Sequence, residues 1–157
     1  MAIDQRAFAG IRVLDLTRVL AGPFCAYQMA LLGAEVIKIE PPGTGDPVRG
    51  WSLQQGGRSI WWSVHGRNKR SVTLDLRAPE ARRIVLELAA KCDVVVENYR
   101  PGQLEKWRLG PDDLNAARPG IVLVRISGYG QTGPEAPKPG FGVIGEAKGG
   151  IRYLTGY

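Results

Sequence analysis

Apolar positions along the chain fall into short runs of two kinds. IRVLDL (11–16), EVIKIE (35–40), SVTLDL (71–76), CDVVVEN (92–98) and IVLVRIS (121–127) are rich in β-branched residues and bounded by turn-formers. That is the pattern of strands, and the last reads as a buried one. Helical runs lie between them. Gly22-Pro23 opens FCAYQMALL (24–32), with proline suited to the first turn and Gly33 to the position just past the end. This run is apolar almost all round, which predicts a buried helix. Pro79-Glu80 opens a second helix ending near Lys91, with Ile84, Val85, Leu88 and Ala89 on one face. Pro111-Asp112-Asp113 starts a short third one, its acids placed where the helix dipole favours them. Residues 41–70 are rich in Gly, Pro, Ser and Trp and show neither period. Loops of that length are often functional or contain structure that patterning does not expose.

Strand, helix, strand, repeated, predicts an α/β fold with a parallel sheet and helices on its faces. Crossovers in such sheets are right-handed, and ligands sit beyond the carboxyl ends of the strands. Those ends are TRVLAGP (17–23), EPPGTGD (40–46), LRAP (76–79), ENYRPG (97–102) and SGYGQTGP (127–134). No fixed-period repeat or low-complexity tract interrupts the pattern.

A length of 157 residues fits one domain, and a domain of that size buries roughly 70% of the surface its unfolded chain exposes. Hydrophobic residues at 44% and charged residues at 23% are ordinary for a globular protein. No apolar run approaches the ~20 residues of a membrane span, and the start, MAIDQRAFAG, lacks a secretory pattern. Cys25 and Cys92 are too few for a disulfide framework, which points to a reducing, cytoplasmic setting. The net charge of +6 changes the picture more. Its arginines are scattered, and the densest cluster, RNKRS (67–71), is short. A small polyanion, such as a nucleotide or a phosphate-bearing coenzyme, fits this better than nucleic acid.

The strand-end loops carry the candidate chemistry. GYGQTG within SGYGQTGP is a GxGxxG by its letters, but it follows the last strand and precedes a non-helical stretch, Pro134 to Pro139. A dinucleotide fingerprint should follow the first strand and open a helix. The loop reads either as a tight surface turn or as backbone that a ligand can approach closely. Asn98, Tyr99 and Arg100 sit just past a strand end, as ligand contacts or as a turn with a packed tyrosine. Arg77 precedes a helix start, where a phosphate is favoured. Lys106 follows on the next helical stretch, as a phosphate contact or a solvated lysine. His65 is the only histidine and reads as packed or exposed rather than catalytic. Two cysteines and one histidine offer no metal-ligand spacing, so no metal is expected. Trp61 and Trp62 serve either a contact surface or the core.

Together the blocks GIRVLDLTRVLAGPFCAYQMALLGAEVIKIEPPGTGDPVR (10–49), RNKRSVTLDLRAPEA (67–81), DVVVENYRPGQLEKWRLG (93–110) and SGYGQTGP resemble class III CoA-transferases. That family includes formyl-CoA:oxalate, carnitine and succinate–hydroxymethylglutarate CoA-transferases and the alpha-methylacyl-CoA racemases. The resemblance implies a Rossmann-like sheet, coenzyme A along the strand-end loops, and two interlocked chains. By motif, the adenosine and phosphate contacts fall on Ala21, on Leu74, Asp75, Leu76 and Arg77, on Asn98 and Tyr99, and on Lys106. Leu20 replaces a glutamine and Pro41 an arginine of the oxalate enzyme, and Lys138 offers a cation in the last loop. The resemblance further implies that an acyl-CoA and a carboxylic acid acceptor are the substrates. A nucleophilic aspartate is expected after Gly149-Gly150 and Thr155-Gly156, beyond Tyr157. Residues 1–157 would then be the N-terminal part of the CoA-binding large domain, inactive alone. Phe141 stands where the racemases carry a histidine base, which disfavours that branch. A non-catalytic CoA- or nucleotide-binding module on the same scaffold is the other reading.

Overall fold

In the computed structural model, residues 5–156 are described. The chain runs β1 (Arg12–Asp15), α1 (Ala21–Leu31), β2 (Glu35–Glu40), a 3-10 turn (Pro47–Gly50), β3 (Gln54–Gln55), β4 (Arg58–Ser59) and α2 (Ile60–His65). It continues through β5 (Lys69–Thr73), α3 (Pro79–Ala89), β6 (Val94–Glu97), α4 (Gln103–Lys106), α5 (Pro111–Ala117), β7 (Val122–Arg125), α6 (Gly142–Lys148) and α7 (Ile151–Thr155). Five strands form one parallel sheet in the order β5-β2-β1-β6-β7, and β3 pairs with β4 in a small hairpin.

The period of two along each strand sorts side chains onto two faces. Val13, Val36, Val94 and Val96 pack with Ala26 and Ala30 of α1. Leu14, Ile39 and Val95 pack on the other face with Val85 and Ala89 of α3, Leu104 of α4 and Leu114 of α5. The α/β class and parallel sheet are therefore as the patterning predicts. α1 departs from expectation. It buries Gly22, Pro23, Ala26, Tyr27 and Ala30, while Phe24 and Leu31 on its other side are exposed. β7 is likewise an outer strand with Val122 55% exposed, because no strand of the described residues pairs with its far edge.

The chain's path decides where a site can form. From β1 it moves outward through β2 to β5, then returns to place β6 on β1's other side. Loops leaving β1 and β6 therefore diverge, and a crevice opens between them at the carboxyl end of the sheet. Gly22 lets α1 begin tightly there: a Cβ on it would lie 2.4 Å from the Thr17 Cβ.

Leu14 is fully buried at the centre of the sheet. Leu14→Ala should lower unfolding stability by about 2–5 kcal/mol, since both contacts and volume are lost. Val122→Ala on the outer strand should change it by less than about 1 kcal/mol. Urea denaturation of both variants checks this, and comparable losses would refute the assignment of the core.

Candidate functional site

Two adjoining clefts occupy the carboxyl end of the sheet. The smaller, about 290 Å³, has apolar walls from Ile39, Leu74, Leu76 and Trp107, with Arg18 and Arg77 at its polar side. The larger, about 840 Å³, lies between the β1–α1 loop, the turn after β6 and the segment 126–145. Arg18 and Tyr99 line both, so the clefts meet at the crevice between β1 and β6.

Beneath the clefts lies a cluster of buried charges. Lys38, in β2, is fully buried. Its Nζ donates to the Thr17 carbonyl at 2.7 Å and lies 3.0 Å from Asp46 Oδ2 and 3.8 Å from Asp15 Oδ2. Asp15 also accepts from Lys69 Nζ at 2.8 Å, and Lys69 donates to the Pro23 carbonyl. Burial lowers the Lys69 pKa, against the pull of Asp15. Glu40, at the end of β2, accepts from Arg49 Nε and Nη2, from Ser71 and from the Asp46 amide. Burial pushes this carboxyl up, but the hydrogen bonds from Arg49, Ser71 and Asp46 outweigh it and hold the pKa at about 2. Glu97, fully buried at the end of β6, accepts from the Tyr99 amide and from Arg125, each at 2.7 Å. These bonds fix the turn that aims Tyr99 between the clefts.

The coenzyme contacts that the resemblance implies line these clefts with one exception. Leu74, Asp75, Leu76, Arg77 and Tyr99 line the smaller cleft. Ala21, Asn98 and Tyr99 line the larger. Lys106 lines neither; it is exposed at the end of α4, one residue before the cleft-lining Trp107. Pro41 borders the smaller cleft, and Leu20, Lys138, Phe141 and Gly142 the larger. Tyr99 packs edge-on against Trp107, with ring centroids 4.9 Å apart, and burial pushes its phenol up to about 12. It therefore serves as a neutral wall at physiological pH. Arg77 grips Asp75 with two bonds, at 2.8 and 2.9 Å. Asn98 spends its amide on the main chain of Arg18, accepting from the nitrogen at 2.8 Å and donating to the carbonyl at 2.7 Å.

The glycine loop after β7 has a structural explanation. A Cβ on Gly128 would lie 2.5 Å from the Gly140 Cα, so two backbone segments touch where side chains would part them. Both glycines line the larger cleft, so this contact shapes its floor. His65 is packed: its ring stacks on Trp61 and meets Phe24 and Tyr27 edge-on. Burial lowers its pKa, and the nearby Lys69 adds to this, which keeps it neutral. Trp62 lies under the Arg49 guanidinium at 3.6 Å.

Sequence reasoning passed over Arg18, Trp51, Trp107, Lys38 and Asp46. A signal existed for Lys38, a lysine at an inward position of a strand flanked on both sides, and for Asp46, which ends a glycine turn. What the clefts lack among the described residues is an uncommitted carboxylate. Of their two carboxylates, Glu40 is saturated by donors and Asp75 is held by Arg77. Among the described residues no group of three or more His, Cys, Asp and Glu side chains could hold a metal. The arrangement suits binding of an anion with an apolar or aromatic portion, rather than bond-making by these residues.

Comparison with known proteins decides the family. The description "CoA-transferase family III" matches residues 8–157. The chain belongs to CoA-transferase family III. It is 54% identical over 153 residues to the succinyl-CoA–D-citramalate CoA-transferase of Chloroflexus aurantiacus, covering 97% of this chain and 38% of that protein. It is 47% identical over 154 residues to the mouse (Mus musculus) succinyl-CoA:glutarate CoA-transferase, covering 98% and 35%. A crystal structure of a CAIB/BAIF family protein from Brucella suis superposes with a TM-score of 0.87 at 37% identity, over 93% of this chain and 40% of that one. The chain thus spans little more than a third of the curated relatives it matches. No helix among the described residues is long and apolar enough to cross a membrane.

The charge cluster predicts a pH response. Glu40 stays ionised in the folded protein down to about 2, whereas its ordinary value is 4.5. As pH falls between those values the unfolded chain takes up the proton first, so folded stability is lost. Glu40→Gln should flatten the decline of urea midpoints below about pH 5, this being the ordinary carboxylate range. An unchanged slope in the variant would show that Glu40 is not held ionised.

Proposed function

We propose that this transferase-family chain supplies the coenzyme A-binding part of an enzyme that moves CoA between carboxylic acids. The observation that carries the reading is the pair of joined clefts at the sheet's switch point, in a chain of this family. The smaller cleft has the apolar and aromatic walls an adenosine needs, with Arg77 at its edge and Lys106 nearby for phosphate. The larger cleft, at about 840 Å³, has the volume for the pantetheine arm and the acyl group. Acyl-CoA and a carboxylic acid acceptor are the substrates.

The chemical step needs a carboxylate nucleophile that the clefts do not present. An aspartate outside these residues fills that role in this reading. It attacks the thioester carbonyl, displacing the CoA thiolate and forming a mixed anhydride. The thiolate then attacks the aspartyl carbonyl, releasing the donor acid and leaving an aspartyl-CoA thioester, from which CoA passes to the acceptor. Splitting one exchange into successive acyl transfers lowers each barrier. Residues 1–157 by themselves are then inactive. Glu135 is no substitute: hydrogen bonds from Lys138 and Lys148 hold its pKa at about 2 and occupy both oxygens. Glu146 pairs with Arg152 at 3.4 Å. Racemisation is disfavoured because Phe141, 72% exposed at the larger cleft, cannot carry a proton. The working assembly is an interlocked homodimer in the cytoplasm. Exposure of Tyr153 at 89% and Leu154 at 82% supports further polypeptide covering α7.

Two measurements test this. Arg77→Ala combined with Lys106→Ala should weaken CoA binding, and the deficit should shrink as salt screens the attraction. Unchanged affinity by calorimetry would remove both from the site. Residues 1–157, given acyl-CoA and excess dicarboxylate, should show no transfer. Turnover by that preparation, free of host transferase, would place the nucleophile within it.

A further inference from the structure

Three consecutive residues of the β1–α1 loop are each held by a side chain from a different part of the fold. Lys38 donates to the Thr17 carbonyl at 2.7 Å. Asn98 brackets Arg18, bonding both its nitrogen and its carbonyl. Asp46 Oδ1 accepts from the Val19 amide at 3.2 Å and from the Val48 amide at 3.1 Å. Val19 has a φ of +72°, a region that β-branched residues seldom enter. Such a conformation persists only where its surroundings over-determine it, and it tends to mark functional sites. Arg18, Val19, Leu20 and Ala21 all line the larger cleft, whereas Asp46 is 1% exposed and lines neither.

We propose that Asp46 and Asn98 are positioning residues that hold Arg18–Leu20 in a strained shape the ligand reads, acting on binding through that loop rather than by touching the ligand. The inference rests on the CoA-binding reading above, and for Asn98 it replaces direct contact as the explanation. Asp46 can do this because its other oxygen faces Lys38, so the acceptor that meets Val19 belongs to a buried, charge-balanced pair. A loop ordered at folding leaves less ordering cost to be met at binding. Without these bonds Val19 would relax toward negative φ and turn the Arg18 and Leu20 side chains away from the cleft.

The test uses Asp46→Asn, Asn98→Ala, their combination, and Val19→Gly added to Asp46→Asn, with urea midpoints confirming folding. In the ligand-free protein, amide exchange at Arg18 and Val19 should quicken in both single variants. CoA affinity should fall roughly 10-fold in each, equivalent to about 1.4 kcal/mol. The double variant should lose less than the product of the two, because both act on one loop. Val19→Gly should restore part of the affinity lost with Asp46→Asn, since glycine takes positive φ without strain. A purely structural role for Asp46 would give no such rescue. Unchanged affinity in both single variants, or fully multiplicative losses without rescue, overturns the proposal. Should Asp46→Asn fail to fold, Asn98→Ala decides on the same exchange and affinity readouts, supported by both effects and overturned without either. If the unaltered protein binds no CoA, the CoA reading falls. The exchange measurement then judges the loop alone: protected amides that quicken in the variants support it, and unprotected amides refute it.

Discussion

A lysine buried at the heart of a parallel sheet sets the terms for everything above it. Lys38 projects from β2 with no access to water. An ammonium so placed costs several kcal/mol unless carboxylates and carbonyls replace its hydration. Its partners come from three stretches of chain: Asp15 from β1, Thr17 from the loop that follows, and Asp46 from the segment after β2. Satisfying one charge therefore requires two separate loops to close over the strand ends in a particular way. Lys69 repeats the device from β5, reaching Asp15 and the first turn of α1. The sheet does not merely support these loops. Its buried cations dictate their shape.

That shape matters because of where β1 and β6 lie. The chain reverses its lateral progress between them, which opens a crevice that packing alone does not fill. The clefts grow from this gap, and their walls divide by chemistry. Leu74, Leu76 and Trp107 supply apolar surface, while charged groups stand at the edges. The acids nearest the cavity have their lone pairs committed to arginines or backbone donors, and the histidine is enclosed by aromatic rings. A site so built offers binding surface while its acids stay committed elsewhere. This accords with a family in which the chain matches the front third of longer enzymes.

The parts of this design legible in sequence are those governed by period and punctuation. EVIKIE matches β2 residue for residue, and Pro79 and Pro111 each open the helix expected of them. β5 was displaced: it covers Lys69–Thr73 rather than 71–76, because Leu74 to Leu76 leave the sheet to build the cleft wall. Apolar residues that line a cleft look like strand in a pattern that counts only hydrophobicity. The segment 41–70 hid a 3-10 turn, a hairpin and α2, all too short to establish a period. Its Asp46 is marked by the glycine turn it ends, but its partners are not legible, for a different reason. The value of a buried carboxylate depends on a lysine eight positions earlier and an amide on another loop, and neither relation follows from local spacing. Asn98 shows the same limit, since motif matching places it at the site but does not say whether it faces ligand or backbone.

The two arginines of the smaller cleft differ in how an anion would engage them. Arg77 already holds Asp75 in a two-point grip, and that pair is largely exposed, so water and salt screen it. A phosphate there must displace or share the carboxylate, gaining a better match at the expense of an existing one. Arg18 makes no ion pair or side-chain hydrogen bond among the described residues, yet its main chain is clasped by Asn98. Its guanidinium is thus presented with its donors uncommitted among the described residues, beside Tyr99 where the two clefts meet. An anion bridging the clefts gains most from Arg18, because nothing has to be broken there. At Arg77 only a group that competes with a carboxylate for two-point bonding would take the guanidinium. Buried charges below shape the loop, the loop carries the uncommitted arginine, and the order of those dependencies runs upward from Lys38.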